Sequence, residues 1–287
     1  MRARSPLHPW FFLGPSLAIL VTFFVVPVLV ALALSFTSWD LLTPPTWAGL
    51  ANYRALAASG EIGALLGRSL TFSMFVVTGA MVLGLGLALA LHRPGRLFAL
   101  ARGAVFSAYV VSWVSVALLW MWLLDPDAGL IASVFRALHL PRSGFLTDPS
   151  SALLTLAVVT VWKITGYAMV VFLVGLDGVP PALLEAAALD GAGAWERFRH
   201  VTWPCIRPTA AFVATTSLIV SFQAFDVVRV MTQGGPVKST TLFVYAIYEQ
   251  VFLDLRVGRA SALTVLFFGV LVGLAALQLR AFRGRTA

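Results

Sequence analysis

The chain has 287 residues, of which 60% are apolar and only 11% charged, with a mean hydropathy of +0.92. Soluble domains run to roughly 45–50% apolar and about 25% charged, so a soluble enzyme is excluded. The formal charge of +8 does not indicate nucleic acid, because the basic residues sit in small groups beside apolar runs instead of forming one stripe.

The apolar residues fall into runs of about twenty, the length that crosses a bilayer as a helix. Six spans are predicted in chain order: 10–36, 68–91, 104–124, 151–176, 205–231 and 260–282. The first follows Arg2 and Arg4 and contains Ala31-Leu32-Ala33, which imitates a signal-peptidase site. Its apolar stretch exceeds the roughly 7–15 residues of a signal core, which favours an uncleaved helix. The second span carries a small-residue ladder, Ala80, Gly84 and Ala88, and the sixth carries Gly269 and Gly273. Such spacing lets helix backbones approach closely, either within this chain or against a partner subunit. The fold class expected is therefore all-α: a single polytopic membrane domain of six helices.

Orientation follows from Lys and Arg. With six spans both termini share a side, which holds eleven arginines: Arg2, Arg4, Arg93, Arg96, Arg102, Arg197, Arg199, Arg207, Arg280, Arg283 and Arg285. Seven basic residues lie opposite: Arg54, Arg68, Arg136, Arg142, Lys238, Arg256 and Arg259. The excess places both termini in the cytoplasm.

Two polar stripes interrupt the apolar spans. Thr160, Lys163 and Tyr167 share one face of the fourth at i, i+3 and i+7. Thr216, Ser221, Gln223 and Asp226 mark the fifth, with Arg229 one turn further. Intramembrane polar groups are functional candidates by default. They could line a substrate path, or Lys163 could pair with Asp226, or Asp226 with Arg229, to neutralise charge.

The longest cytoplasmic connection, 177–204, joins spans four and five. Pro181 suits the first turn of a helix, and Gly191 and Gly193 can end it. A second short helix then carries Trp195 and Phe198, and Pro204 is expected to separate it from the fifth span. Ala186, Ala187 and Ala188 offer little bulk, and neither Ala187 nor Gly191 has volume to spare in a fitted contact. Glu185 and Asp190 place charges at its edge. From the residues alone this helix–turn–helix either docks on a partner or rests on lipid headgroups.

Glu185-Ala186-Ala187, then Asp190-Gly191-Ala192, closed by Pro204, resembles the loop of binding-protein-dependent ABC importer permeases that couples them to their ATPase. Ser35–Asp40, Gly49–Tyr53, Asp125–Gly129, Trp162-Lys163, Phe225-Asp226 and Thr232–Pro236 are similar to the carbohydrate branch of that family. The Trp-Asp and Gly-Gly-Pro elements resemble the first permease of the pair in the maltose, lactose and glycerol-3-phosphate systems. Trp203 and Gln233 depart from the family pattern, and the large extracytoplasmic insert of the maltose permease is absent.

The resemblance implies import of a sugar or related solute by alternating access, with Glu185, Ala186, Ala187, Asp190, Gly191 and Ala192 contacting the ATPase. It places the sugar site near Thr160, Lys163, Tyr167, Ser221, Gln223 and Asp226. It also implies four partners: a homologous second permease, a cytoplasmic ATP-binding subunit dimer, an extracytoplasmic solute-binding protein and the lipid bilayer of a bacterial or archaeal inner membrane. The chain's two lysines, Lys163 and Lys238, are preceded by Trp162 and Val237, so neither can be a P-loop lysine. ATP and Mg are thus expected on the partner, with no cofactor on this chain. An intramembrane enzyme lacks a nucleophile–base or metal set, since no His lies in the spans. A secondary transporter or channel is the remaining alternative, though no internal repeat supports it.

Overall fold

The computed structural model describes residues 7–139 and 144–283. Arg2, Arg4, Arg142 and Arg285 of the charge tally lie outside them. Five described helices are long and apolar enough to cross a membrane, and one helix pair, bent by 100°, is long and apolar enough only when its two members are taken together. The chain divides into two compact units, one from Met1–Ile62 and Ala246–Gly273, the other from Gly63–Tyr245 and Leu274–Ala287.

In the first unit, α1 (Leu7–Leu20) and α2 (Val26–Leu34) are joined by a π-helical turn, Val21–Val25. The turn ends where Val26 donates to the carbonyl of Val21, directly before Pro27. Proline lacks an N–H and its ring crowds the carbonyl four residues back. Widening the preceding turn to five residues accommodates it without ending the helix. A two-residue hairpin, β1 (Thr37–Ser38) and β2 (Thr46–Trp47), and α3 (Ala51–Ala58) follow. Asn52 donates its amide to the carbonyls of Ser35 and Thr37, at 2.9 and 2.8 Å, and Tyr53 donates to the Ser35 hydroxyl at 2.7 Å. The Ser35–Asp40 and Gly49–Tyr53 motifs are therefore two halves of one hydrogen-bonded corner. Asp40 closes its own turn by accepting from the Leu42 and Thr43 amides. Those contacts, with the Thr43 amide and hydroxyl foremost, hold its carboxyl below the usual carboxylate range. The unit is completed by residues 246–248 of α13 (Phe243–Tyr248), a π turn (Glu249–Leu253) and most of α14 (Val257–Arg283). Arg259 pairs with Glu61 at 2.6 Å.

The second unit is built on α8 (Ala152–Asp177), the most deeply buried span. Around it stand α4 (Glu61–Leu91), α5 (Arg96–Val110), α6 (Trp113–Leu123) and α11 (Trp203–Phe222). The small-residue ladder packs inside this chain: Ala80 and Ala88 are fully buried, and a Cβ on Gly84 would lie 2.6 Å from that of Ala168. Gly166 meets α5 more tightly, since a Cβ there would lie 2.5 Å from the Val105 carbonyl oxygen. Gly175 approaches Thr209 of α11 in the same way, at 2.6 Å. The Gly269–Gly273 pair differs, because a Cβ at either position meets nothing within 4 Å.

Three boundaries depart from the sequence expectation. The third span is not one helix: Val111 and Ser112 are extended and split it into α5 and α6. The fifth ends at Phe222, and Asp226 opens a separate short helix, α12 (Asp226–Met231). The polar stripe drawn through Gln223 and Asp226 on a continuous helix is thereby broken. Pro204 separates nothing, because α10 (Ala194–Arg197), a π turn (Phe198–Thr202) and α11 run as one 29-residue helix. Trp203 donates to the Phe198 carbonyl five residues back, the same relief seen before Pro27. Outside the bundle, α7 (Leu130–Ala137) follows a turn in which Asp125 accepts from the Asp127 and Ala128 amides.

Candidate functional site

The segment after α8 forms a rigid knuckle. Pro180 and Pro181 start α9 (Pro181–Leu189), which ends in a Schellman turn. Gly191 donates to the Ala188 carbonyl at 3.1 Å and Ala192 to that of Ala187 at 2.9 Å, so orphan carbonyls at the helix end are satisfied. This turn needs a left-handed residue, and Gly191 supplies it with φ of +83°. Within this chain a Cβ at Gly191 meets nothing within 4 Å, so backbone conformation is the constraint that the fold itself sets there. Glu196 then reaches back to accept from the Gly193 amide at 2.8 Å, fixing the start of α10.

The knuckle is exposed. Glu185, Ala186, Asp190 and Gly191 are open to their surroundings, and Ala187 and Ala192 are half-buried. Leu189 is 89% exposed and Trp195 68%, an apolar top that the rest of the chain leaves uncovered. Trp195 stacks on Phe198 at 5.6 Å, and Phe198 contacts Trp203 at 6.3 Å, so Trp203 extends an aromatic row along the second arm. Beside the knuckle, His92 at the end of α4 meets Asp177 at the end of α8, 2.8 Å apart. The sequence reading missed this pair, whose members are 85 positions apart.

The intramembrane polar residues separate into two groups. Tyr167 and Thr216 come together, with Tyr109 and Ser217, around a groove of about 240 Å³. The Tyr109 and Tyr167 rings stack at 5.0 Å, giving the groove one aromatic wall beside its hydroxyls. The rest of the stripe lies elsewhere. Thr160 is fully buried and donates to the Leu156 carbonyl of its own helix at 2.9 Å. Ser221 is buried and bonded to Ser73 of α4 at 2.7 Å. Gln223 is exposed at the end of α11, and Asp226 is half-buried at the start of α12.

Lys163 is 1% exposed, and its ammonium donates to the carbonyls of Ala108 (3.3 Å), Tyr109 (3.1 Å) and Val111. It also lies 4.8 Å from the centre of the Trp113 ring. The pairing of Lys163 with Asp226 is thus replaced by carbonyls at the end of α5. Tyr109, Trp113 and Ser217 lay inside apolar runs and carried no periodic signal of their own. Among the described residues, no cluster of His, Cys, Asp or Glu could hold a metal ion.

Residues 80–284 match the binding-protein-dependent transport system inner membrane component family. The chain belongs to that family. Similar relatives cover nearly all of it. A probable ABC transporter permease protein of Pyrococcus horikoshii is 32% identical over 277 residues, 94% of each chain. An sn-glycerol-3-phosphate transport system permease protein of Brucella abortus is 30% identical over 282 residues, 96% of this chain and 94% of the relative. Among solved structures, a crystal structure of a bacterial ABC transporter importing the acidic polysaccharide alginate contains a chain of the same fold. It matches with a TM-score of 0.83 at 22% identity, covering 98% of each chain. The permease is therefore a multi-pass membrane component of an importer, and the secondary-transporter and channel alternative falls away.

Proposed function

We propose that this permease moves a sugar, polyol or sugar phosphate into the cytoplasm by alternating access, driven by a separate ATPase dimer that seats on Glu185–Ala192. The observation that carries the reading is the knuckle itself. A short helix sits four residues beyond the end of the most buried span, its turn is held rigid by hydrogen bonds, and its Leu189 and Trp195 side chains remain uncovered. Exposed apolar groups on a fixed scaffold are what a partner interface requires.

The solute class rests on two supports. Relatives carry names of glycerol-3-phosphate permeases, and a structural neighbour belongs to an alginate importer. The groove combines an aromatic wall, Tyr109 and Tyr167, with the Thr216 and Ser217 hydroxyls, a surface suited to sugar faces and hydroxyls. A homologous second permease completes the path and an extracytoplasmic binding protein delivers the solute. The arginine bias supports a cytoplasmic side for both termini and for the knuckle, in an inner membrane.

The test is reconstitution of this chain with its second permease, ATPase and binding protein in liposomes. ATP-dependent accumulation of glycerol 3-phosphate or an oligosaccharide, lost when the ATPase is omitted, is the expected result. Solute flux that persists without the ATPase overturns the reading.

A further inference from the structure

The break between α5 and α6 is not made by a glycine or a proline. Residues 108–114 read Ala-Tyr-Val-Val-Ser-Trp-Val, with neither Gly nor Pro, yet the chain turns by 100° there. A helix that stops leaves its last carbonyls without intrahelical partners. Inside a membrane, where no water can bond to it, each such group is costly unless the protein itself supplies a donor. Lys163 answers that demand from another helix. An ammonium has three donors and no acceptor, and here it faces three carbonyls, those of Ala108, Tyr109 and Val111. The negative end of the α5 dipole and the face of Trp113 favour the charge, with no carboxylate taking part.

The position of this contact links two regions already described. Lys163 stands one turn before Tyr167 on α8, and the Tyr109 whose carbonyl it holds is the residue stacked on Tyr167 in the groove. Beyond Lys163, α8 runs unbroken to Asp177, four residues before α9 begins. One rigid helix therefore joins the knuckle to the groove wall, and Lys163 is its grip on the wall.

We propose that Lys163 is a positioning residue that clamps the α5–α6 break to α8, so that movement of the Pro181–Leu189 helix is delivered to the Tyr109 wall of the groove. It acts through the carbonyls of α5 and not by touching solute. This rests on the reading of Glu185–Ala192 as the ATPase contact.

The experiment uses the complete reconstituted complex in a Cys205→Ser background with Thr216→Cys as a groove reporter. Fluorescent maleimide labelling of Cys at that position is compared without nucleotide and with ATP plus vanadate, alongside ATP hydrolysis per complex. With Lys163 the labelling is expected to change when nucleotide is trapped. Lys163→Met should leave ATPase recruitment and hydrolysis near wild type but lose the nucleotide-dependent change, and Lys163→Arg, which keeps charge and donors, should restore it. A purely structural role would lower hydrolysis and the labelling change together, with the amount of complex. That outcome, or an unchanged response in Lys163→Met, overturns the proposal. Should Lys163→Met fail to accumulate, Lys163→Gln, which keeps amide donors without charge, takes its place under the same criteria. If the unaltered complex fails to retain the ATPase, the underlying reading of the knuckle fails instead.

Discussion

Replacing Gly191 separates two reasons why that position should matter. The Schellman turn after α9 holds it at φ of +83°, and a Cβ built there meets no atom within 4 Å. Within the chain an alanine therefore suffers no clash, only the left-handed backbone, which costs an ordinary L-residue roughly 1–2 kcal/mol. Asparagine tolerates that region better than alanine although its side chain is larger. If conformation rules, Gly191→Ala should weaken ATPase retention by a factor of about 5–30, the equilibrium equivalent of that strain. Gly191→Asn should then fall between it and the wild type. If bulk against the ATPase rules, the order reverses, with Asn the worse. The assay is co-purification of the ATPase with membranes, paired with uptake and with the amount of inserted permease. Retention lower for Asn than for Ala would refute the conformational argument, and wild-type retention in both would remove the knuckle from the coupling path.

Gly166→Leu should push α5 from α8, because even a Cβ would lie 2.5 Å from the Val105 carbonyl and 2.8 Å from the Phe106 Cα. A loss of about 1–3 kcal/mol or more is expected from such overpacking. Thermal unfolding in detergent measures it, with Gly86→Ala, which meets nothing within 4 Å, as the neutral control. Reporter fusions after Gly95 and Gly193 should score cytoplasmic, and fusions after Gly60, Gly144 and Gly235 exterior. A periplasmic score at Gly193 would reverse the orientation. Tyr167→Ala, which strips half the aromatic wall, should raise the solute concentration for half-maximal uptake with the complex still assembled. Asp226→Asn, away from the groove lining, should change it less, and equal effects would place the solute path elsewhere.

Much of this architecture was written in hydropathy. The apolar runs, the Pro181 helix start and the packing of Ala80, Gly84 and Ala88 follow from local rules that a single sequence exposes. The α5–α6 break does not, because its residues include neither Gly nor Pro and the group that stabilises it lies 52 positions beyond Val111. Read as a lone charge, Lys163 invited a carboxylate partner or a solute, whereas helix-end carbonyls leave no mark in a sequence. Proline misled in the opposite sense. Pro204 looked like a boundary, but a π turn absorbs it, and the same device before Pro27 keeps the first span continuous. The groove was half legible: Tyr167 and Thr216 stood out by spacing, whereas Tyr109 and Ser217 join them only through tertiary packing.

The glycine contacts of α8 limit how that helix can travel. Sliding by one turn, about 5.4 Å, would withdraw Gly166 from the Val105 carbonyl and bring Trp162 or Val170 to backbone that has no room for a side chain. The Gly175–Thr209 contact would lose its register in the same step. Such a shaft cannot act as a piston. It can tilt or swivel about its narrow points, and any stroke that the permease makes must take the form of a lever.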